Sequence, residues 1–272
     1  MAIVNATPDS FSDGGKLADT PAAAQFAREC AQAGAAIIDI GGESTRPGAV
    51  RVPCQEQIRR TIPVIQALQQ PPLAGAVISI DTTSALVART AIQAGAHIVN
   101  DVSAGTDDPE MFAAAAEAGV GLVLMHRVAP PSADCYSHQH QVAPVYADVA
   151  AQVRDWLLAR ADIAERAGVA RECIALDPGL GFGKNVEQNF LLVAQLERLT
   201  EMGYPVVVGA SRKSFIGAVT GVQDPQLRCA GSIAVALAAV SRGASVLRVH
   251  DVAAHHQALA AWQACNGARS AH

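Results

Sequence analysis

Short apolar runs alternate with longer amphipathic segments along the whole chain. The runs Ala2–Asn5, 36–40, 77–80, 97–100, Gly121–Met125, 173–176, 205–208 and 245–249 are nearly continuous in aliphatic residues. That pattern suits strands of a parallel sheet covered on both faces. Between them, segments near 20–33, 54–70, 84–94, 109–118, 146–167, 187–200, 212–240 and 253–264 carry a helical period. In 84–94, Leu86, Ala88, Thr90 and Ala91 cluster while Arg89 and Gln93 turn elsewhere. Glycines 34, 95, 119, 168, 203 and 243 stand where a helix gives way to the next strand, positions that favour a left-handed closing residue. Eight such βα units predict an α/β chain folded as one (β/α)8 TIM barrel, a single domain over 1–272. A doubly wound open sheet is the alternative on pattern alone.

Composition agrees. The chain has 272 residues, 50% hydrophobic and 17% charged, enough to bury a large core. One barrel needs about 250 residues. The net charge of −5 argues against a nucleic-acid binder, while leaving room for local cations that attract small anions. The start MAIVNATPDSF offers neither a basic stretch nor a long enough apolar run for a signal peptide. No stretch approaches the roughly 20 apolar residues of a membrane span. The six cysteines are scattered, as expected of free thiols in a reducing cytoplasm. One segment, 127–144, breaks the rhythm and reads as a long polar loop after strand five. Its His138 and His140, with Cys135 nearby, read as solvated rather than as zinc ligands, since no fourth ligand is evident.

Polar residues recur at or just beyond each strand end: Asn5, Asp39, Asp81, Asn100, His126, Asp177, the 211–214 run and the 248–251 run. In a closed barrel these ends converge on the face that carries the site. The SRKS run at 211–214 offers backbone N–H groups with Arg212 and Lys213 for an anion, and RVHD at 248–251 adds Arg248. Asp81, Asn100 and Asp177 supply acceptors for a heterocycle's N–H groups. The run DPGLGFGKN at 177–185 is not a nucleotide loop: Pro178 and Asn185 occupy positions that a phosphate-binding loop reserves for Gly and Ser/Thr.

Eight segments then match one known family in order: IVNATPDSFSDGG (3–15), IDIGGESTRPGA (38–49), ISIDTTS (78–84), IVNDVSAG (98–105), LMH (124–126), LDPGLGFGK (176–184), GASRKSFIG (209–217) and RVHDV (248–252). Along nearly its whole length the chain resembles bacterial dihydropteroate synthases. The resemblance implies condensation of p-aminobenzoate with 6-hydroxymethyl-7,8-dihydropterin pyrophosphate, with loss of pyrophosphate by a dissociative substitution. It implies Mg²⁺ held at Asn5, and a homodimer. Asp81, Asn100, Met125, Asp177, Phe182, Lys213 and Arg248 would hold the pterin, with Arg248 stacked across the ring. Phe11, Thr45, Pro47 and Ser214 would take p-aminobenzoate. Asn5, Thr45, Arg46, Arg248 and His250 would bind pyrophosphate, and Asp13 would shield the reacting centre. Asn5, Asp13, Arg46, Lys213, Arg248 and His250 are thus the expected catalytic set. Three departures stand out: the chain begins almost at strand one, where family members usually carry an extra N-terminal segment; Ala6 replaces a larger aliphatic residue; and the 127–144 loop is longer than the family's usual stretch and unlike it.

Overall fold

The computed structural model describes residues 1–6, 20–69, 76–140 and 145–267. Within them the predicted alternation is present. Six parallel strands, β1 (Ala2–Asn5), β2 (Ile37–Gly41), β3 (Val77–Asp81), β4 (Ile98–Asp101), β5 (Gly121–Met125) and β6 (Ile174–Asp177), pair in chain order. β7 (Val207–Val208) pairs with β8 (Val246–Leu247). Two parallel bridges close the ring, Leu176 with Val206 and Ala2 with Val249. The open-sheet alternative is therefore excluded. Both β7 and β8 are shorter than the apolar runs 205–208 and 245–249 that encode them.

The helices form the outer layer: α1 (Thr20–Gln32), α2 (Cys54–Leu68), α3 (Ala85–Gln93), α4 (Met111–Ala118) and α5 (Val149–Arg166) precede β2 to β6 in turn. The segment predicted as one helix over 187–200 is two, α6 (Val186–Ala194) and α7 (Glu197–Thr200). The 212–240 segment likewise divides into α8 (Ser214–Thr220) and α9 (Cys229–Val240), separated by Gly221 with φ +74° and a 3₁₀ turn at Pro225–Leu227. An amphipathic period cannot register such a break, since both halves keep an apolar face. After β8, α10 (Val252–Gly267) packs against α9. Glycines 34, 95, 119, 168, 203 and 243 all adopt positive φ, from 64° to 112°, as their place at helix ends predicts.

Strand alternation sorts the core into two shells. Ile38, Ile40, Ile78 and Ile80 are buried in the main apolar cluster with the helices' Ala, Val and Leu side chains. Asp39 and Ser79 lie between them in sequence, paired in register, so they share the opposite face inside the barrel. A polar cluster thus fills the upper barrel while aliphatic packing holds the outside.

Candidate functional site

The centre of that cluster is Asp39, which is fully buried. It accepts hydrogen bonds from Ser79 Oγ (2.6 Å), Asn100 Nδ2 (3.0 Å) and Arg248 Nε (2.7 Å). Arg248 reaches on to Asp81 through a second nitrogen, also at 2.7 Å. One planar guanidinium therefore bridges two carboxylates from neighbouring strands. Burial raises the Asp81 pKa above the usual carboxylate range, while Arg248 acts in the opposite direction. Asn100 commits one amide N–H to Asp39, which leaves its carbonyl oxygen as an acceptor for a ligand.

Asp177, at the end of β6, accepts the Gly179 N–H at 2.7 Å, and burial raises its pKa. The turn that follows is shaped by glycine. Gly179 has φ +66°, and a Cβ there would lie 1.8 Å from the His126 carbonyl oxygen. Lys184 fastens this turn from beneath. It is 0% exposed, and its Nζ donates to the carbonyls of Gly179 (3.0 Å) and Phe182 (2.9 Å), with His126 Nδ1 3.0 Å away. Burial lowers the Lys184 pKa to about 7, and burial with Lys184's charge lowers that of His126 to about 3, so the imidazole is a neutral acceptor. Asn189 of α6 adds a second clamp, accepting from Gly181 N at 2.6 Å and donating to Ser137 Oγ at 3.1 Å.

Cations gather opposite. Lys213 Nζ stands 4.1 Å from the Phe182 ring centroid, and burial followed by repulsion from Arg248 lowers its pKa to about 8. Arg212 adopts φ +61°, rare outside glycine. Its N–H meets Ser232 Oγ, its carbonyl accepts from Arg228, and its guanidinium grips Asp251 at 3.0 and 2.6 Å. Arg212 therefore braces the two loops while lining the same cavity as Lys213. Ser211 Oγ accepts the His250 N–H and faces His250 Nδ1 at 3.1 Å. Burial and the surrounding Arg212, Arg248, Arg46 and Lys213 hold the His250 pKa well below its usual value.

These groups share a cavity of about 390 Å³ walled by Asn5, Thr45, Arg46, Pro47, Lys213, Ser214, Arg248 and His250. A small recess of about 20 Å³ adjoins it, lined by Asn100, Met125, Asp177, Phe182, Lys213 and Arg248. Arg248, drawn down to Asp39 and Asp81, leaves the recess too small for a bicyclic ring. Phe11 and Asp13 lie outside the described residues.

The 127–144 loop departs from the solvated reading. Its Ser137 is 2% exposed and donates its N–H to Ser214 Oγ at 3.2 Å. Asp134 accepts from Gly183 N, Pro131 accepts from Gly48 N, and Tyr136 joins the cavity wall. Sequence reasoning gave no role to Asp39, Lys184 or Asn189. The available signal was a charged or amide side chain set among apolar neighbours on an otherwise buried element.

A closed barrel with a charged, partly enclosed cavity over its strand ends defines a (β/α)8 enzyme. Residues 1–250 match the family of pterin binding enzymes. The chain is 47% identical over 257 residues to a dihydropteroate synthase of Synechocystis, covering 94% of this chain and 86% of that one. The Xanthomonas albilineans dihydropteroate synthase, solved with 4-aminobenzoic acid, superposes with a TM-score of 0.88 at 46% identity, covering 98% and 92% of the two chains. The same enzyme with 7,8-dihydropteroate gives 0.84 at 43%, over the same shares. A Yersinia pestis dihydropteroate synthase in a sulfonamide complex gives 0.90 at 40%, covering 98% and 94%. The chain belongs to the dihydropteroate synthase family of pterin-binding enzymes.

Proposed function

We propose that this chain joins p-aminobenzoate to 6-hydroxymethyl-7,8-dihydropterin pyrophosphate, forming 7,8-dihydropteroate and pyrophosphate. The observation that carries the reading is the pair of buried acceptors Asn100 and Asp177 facing Lys213 and Arg248 at one recess, with buried Asp81 held against Arg248 behind it. The acceptors suit the amino and ring N–H groups of a pterin, and the Lys213 ammonium suits its ring oxygen. Arg248 would exchange Asp81 for the pterin face, opening the recess. Met125 and Phe182 would pack on the ring.

Asn5, Thr45, Arg46, Arg248 and His250 would hold the pyrophosphate, with His250 acting as a neutral imidazole. Thr45, Pro47 and Ser214 would seat p-aminobenzoate, joined by Phe11; Asp13 would shield the centre. The aromatic amine is neutral and nucleophilic, so no strong base is needed. As the methylene C–O bond to pyrophosphate breaks, the electron-rich pterin shares the positive charge, and the cationic rim stabilises the leaving oxygens. The amine nitrogen forms the new C–N bond and releases its proton to solvent.

Mg²⁺ fits only in part through protein: the Asn5 amide faces the cavity, and the nearby carboxylates are engaged with Arg248 and Gly179. Asn5 would hold the ion, which would supply neutralisation of leaving-group charge. We place the enzyme in the cytoplasm as a homodimer, the whole of 1–272 forming one domain. Among the described residues no helix is long and apolar enough to cross a membrane.

The test is pyrophosphate release by the purified protein. Release is expected to need both substrates and Mg²⁺, to vanish in Lys213→Ala, and to be inhibited competitively by a sulfonamide. A folded protein that binds the pterin but releases no pyrophosphate would refute the reading.

A further inference from the structure

The loop between β5 and α5 carries a cluster that the proposed reaction does not use. Asp134, Cys135 and His140 bring a carboxylate oxygen, a thiol sulfur and a ring nitrogen within 4.8 Å of one another. Cys135 Sγ is 3.3 Å from His140 Nδ1. The scaffold holding these donors is independent of any ion. Asp134 accepts from Cys135 N at 2.8 Å with one oxygen and from Gly183 N at 3.0 Å with the other. Between Cys135 and His140, the 3₁₀ turn Ser137–Gln139 folds the chain back, and buried Ser137 is fixed to Ser214 and Asn189.

One feature of the cluster is costly as it stands: His140 Nε2 is buried with no hydrogen-bond partner among the described residues. A thiol is also a weak partner for the other ring nitrogen. A bound dication would use the three donors that this geometry already assembles, taking the sulfur as a thiolate with its proton released to solvent and giving the imidazole a strong bond.

One sulfur, one nitrogen and one oxygen donor suit a borderline ion, whereas Mg²⁺ takes oxygen. We infer that Asp134, Cys135 and His140 form a site for a divalent transition-metal ion of the Zn²⁺ class, with a fourth position open to water. His138 is not part of it: this ring is exposed and stacks on Tyr136, with centroids 6.0 Å apart. The site is distinct from the Mg²⁺ position proposed above, and its test does not depend on the reaction.

The full-length protein, stripped with chelator and kept reduced with a phosphine, is titrated with CoCl₂. A thiolate-to-cobalt absorption in the near ultraviolet is expected, saturating at one ion per chain and bleached by Zn²⁺. Cys135→Ser should abolish it, and His140→Gln should weaken binding at least tenfold. On the wild-type protein alone, Zn²⁺ should shield Cys135 from iodoacetamide in peptide mass spectra while exposed Cys265 labels unchanged. This second readout decides the matter if Cys135→Ser fails to fold. Absence of the band, its persistence in Cys135→Ser, or equal labelling of Cys135 with and without Zn²⁺ would each overturn the assignment.

Discussion

Lys213 shows how burial tunes a single charge. Enclosure and the neighbouring Arg248 bring its pKa to about 8, close to working pH. Its proposed partner, the pterin oxygen, needs the protonated form. As pH rises through about 8 the ammonium loses its proton and the donor is lost. Consequently kcat/KM for the pterin pyrophosphate should fall on the alkaline side with an apparent pKa near 8, because that ratio reports the free enzyme. Lys213→Arg should retain a flat profile to about pH 10, since a guanidinium stays charged. Initial rates from pH 6 to 10 check this, and an unchanged alkaline limb in the arginine variant would assign it elsewhere. At this scale the strand-end residues were legible, because a polar side chain closing an apolar run has few structural uses. Asp39 was visible but unassigned: its importance arises from Ser79, Asn100 and Arg248, the last 209 residues away.

At the scale of elements, the turn 178–184 depends on a steric condition and an electrostatic one. Gly179 passes against the His126 carbonyl with no room for a Cβ, and Lys184 fills the space beneath with donors. Gly179→Ala should therefore cost about 3 kcal/mol or more, adding left-handed strain to the forced movement of backbone. Lys184→Met should cost about 2 kcal/mol by leaving buried carbonyls unpaired. In the surviving enzyme it should raise the KM for the pterin substrate more than it lowers kcat, because the turn carries Phe182 and abuts Asp177. Urea unfolding and steady-state kinetics measure both effects; a methionine variant with wild-type stability and KM would remove Lys184 from this role. The glycines of this run invited a nucleotide-loop reading that motif spacing alone could reject. The lysine's function was not legible, since a Gly-Lys pair in sequence says nothing of which carbonyls its ammonium meets. The 127–144 loop was misread for a related reason: polar composition suggests solvent, yet Ser137 and Asp134 spend their polarity on Ser214, Asn189 and Gly183.

Across the whole molecule, the eight-unit barrel followed from periodicity, but its closure rests on particular contacts that periodicity does not specify. β8 reaches β1 through the Ala2–Val249 bridge, and inside that seam Arg248 spans to β2 and β3. The ion triad is thus a strut across the upper barrel as well as part of the proposed site. Removing its cation leaves two buried carboxylates without compensation, which costs about 3–5 kcal/mol. The pH dependence has a definite sign. Burial already holds the Asp81 pKa above the unfolded value, and Arg248 opposes that rise. Without Arg248 the carboxyl pKa rises further, so the folded state binds a proton that the unfolded chain releases above about pH 4. Stability then declines as pH rises through the folded-state pKa. Arg248→Met should therefore be weaker than wild type by about 3–5 kcal/mol at pH 8, with the deficit shrinking toward pH 5 as the Asp81 carboxyl protonates. Parallel urea titrations at the two pH values test it. A deficit equal at both would mean that Arg248 stabilises the barrel through packing of its aliphatic stem, and that the buried charges are balanced by other groups.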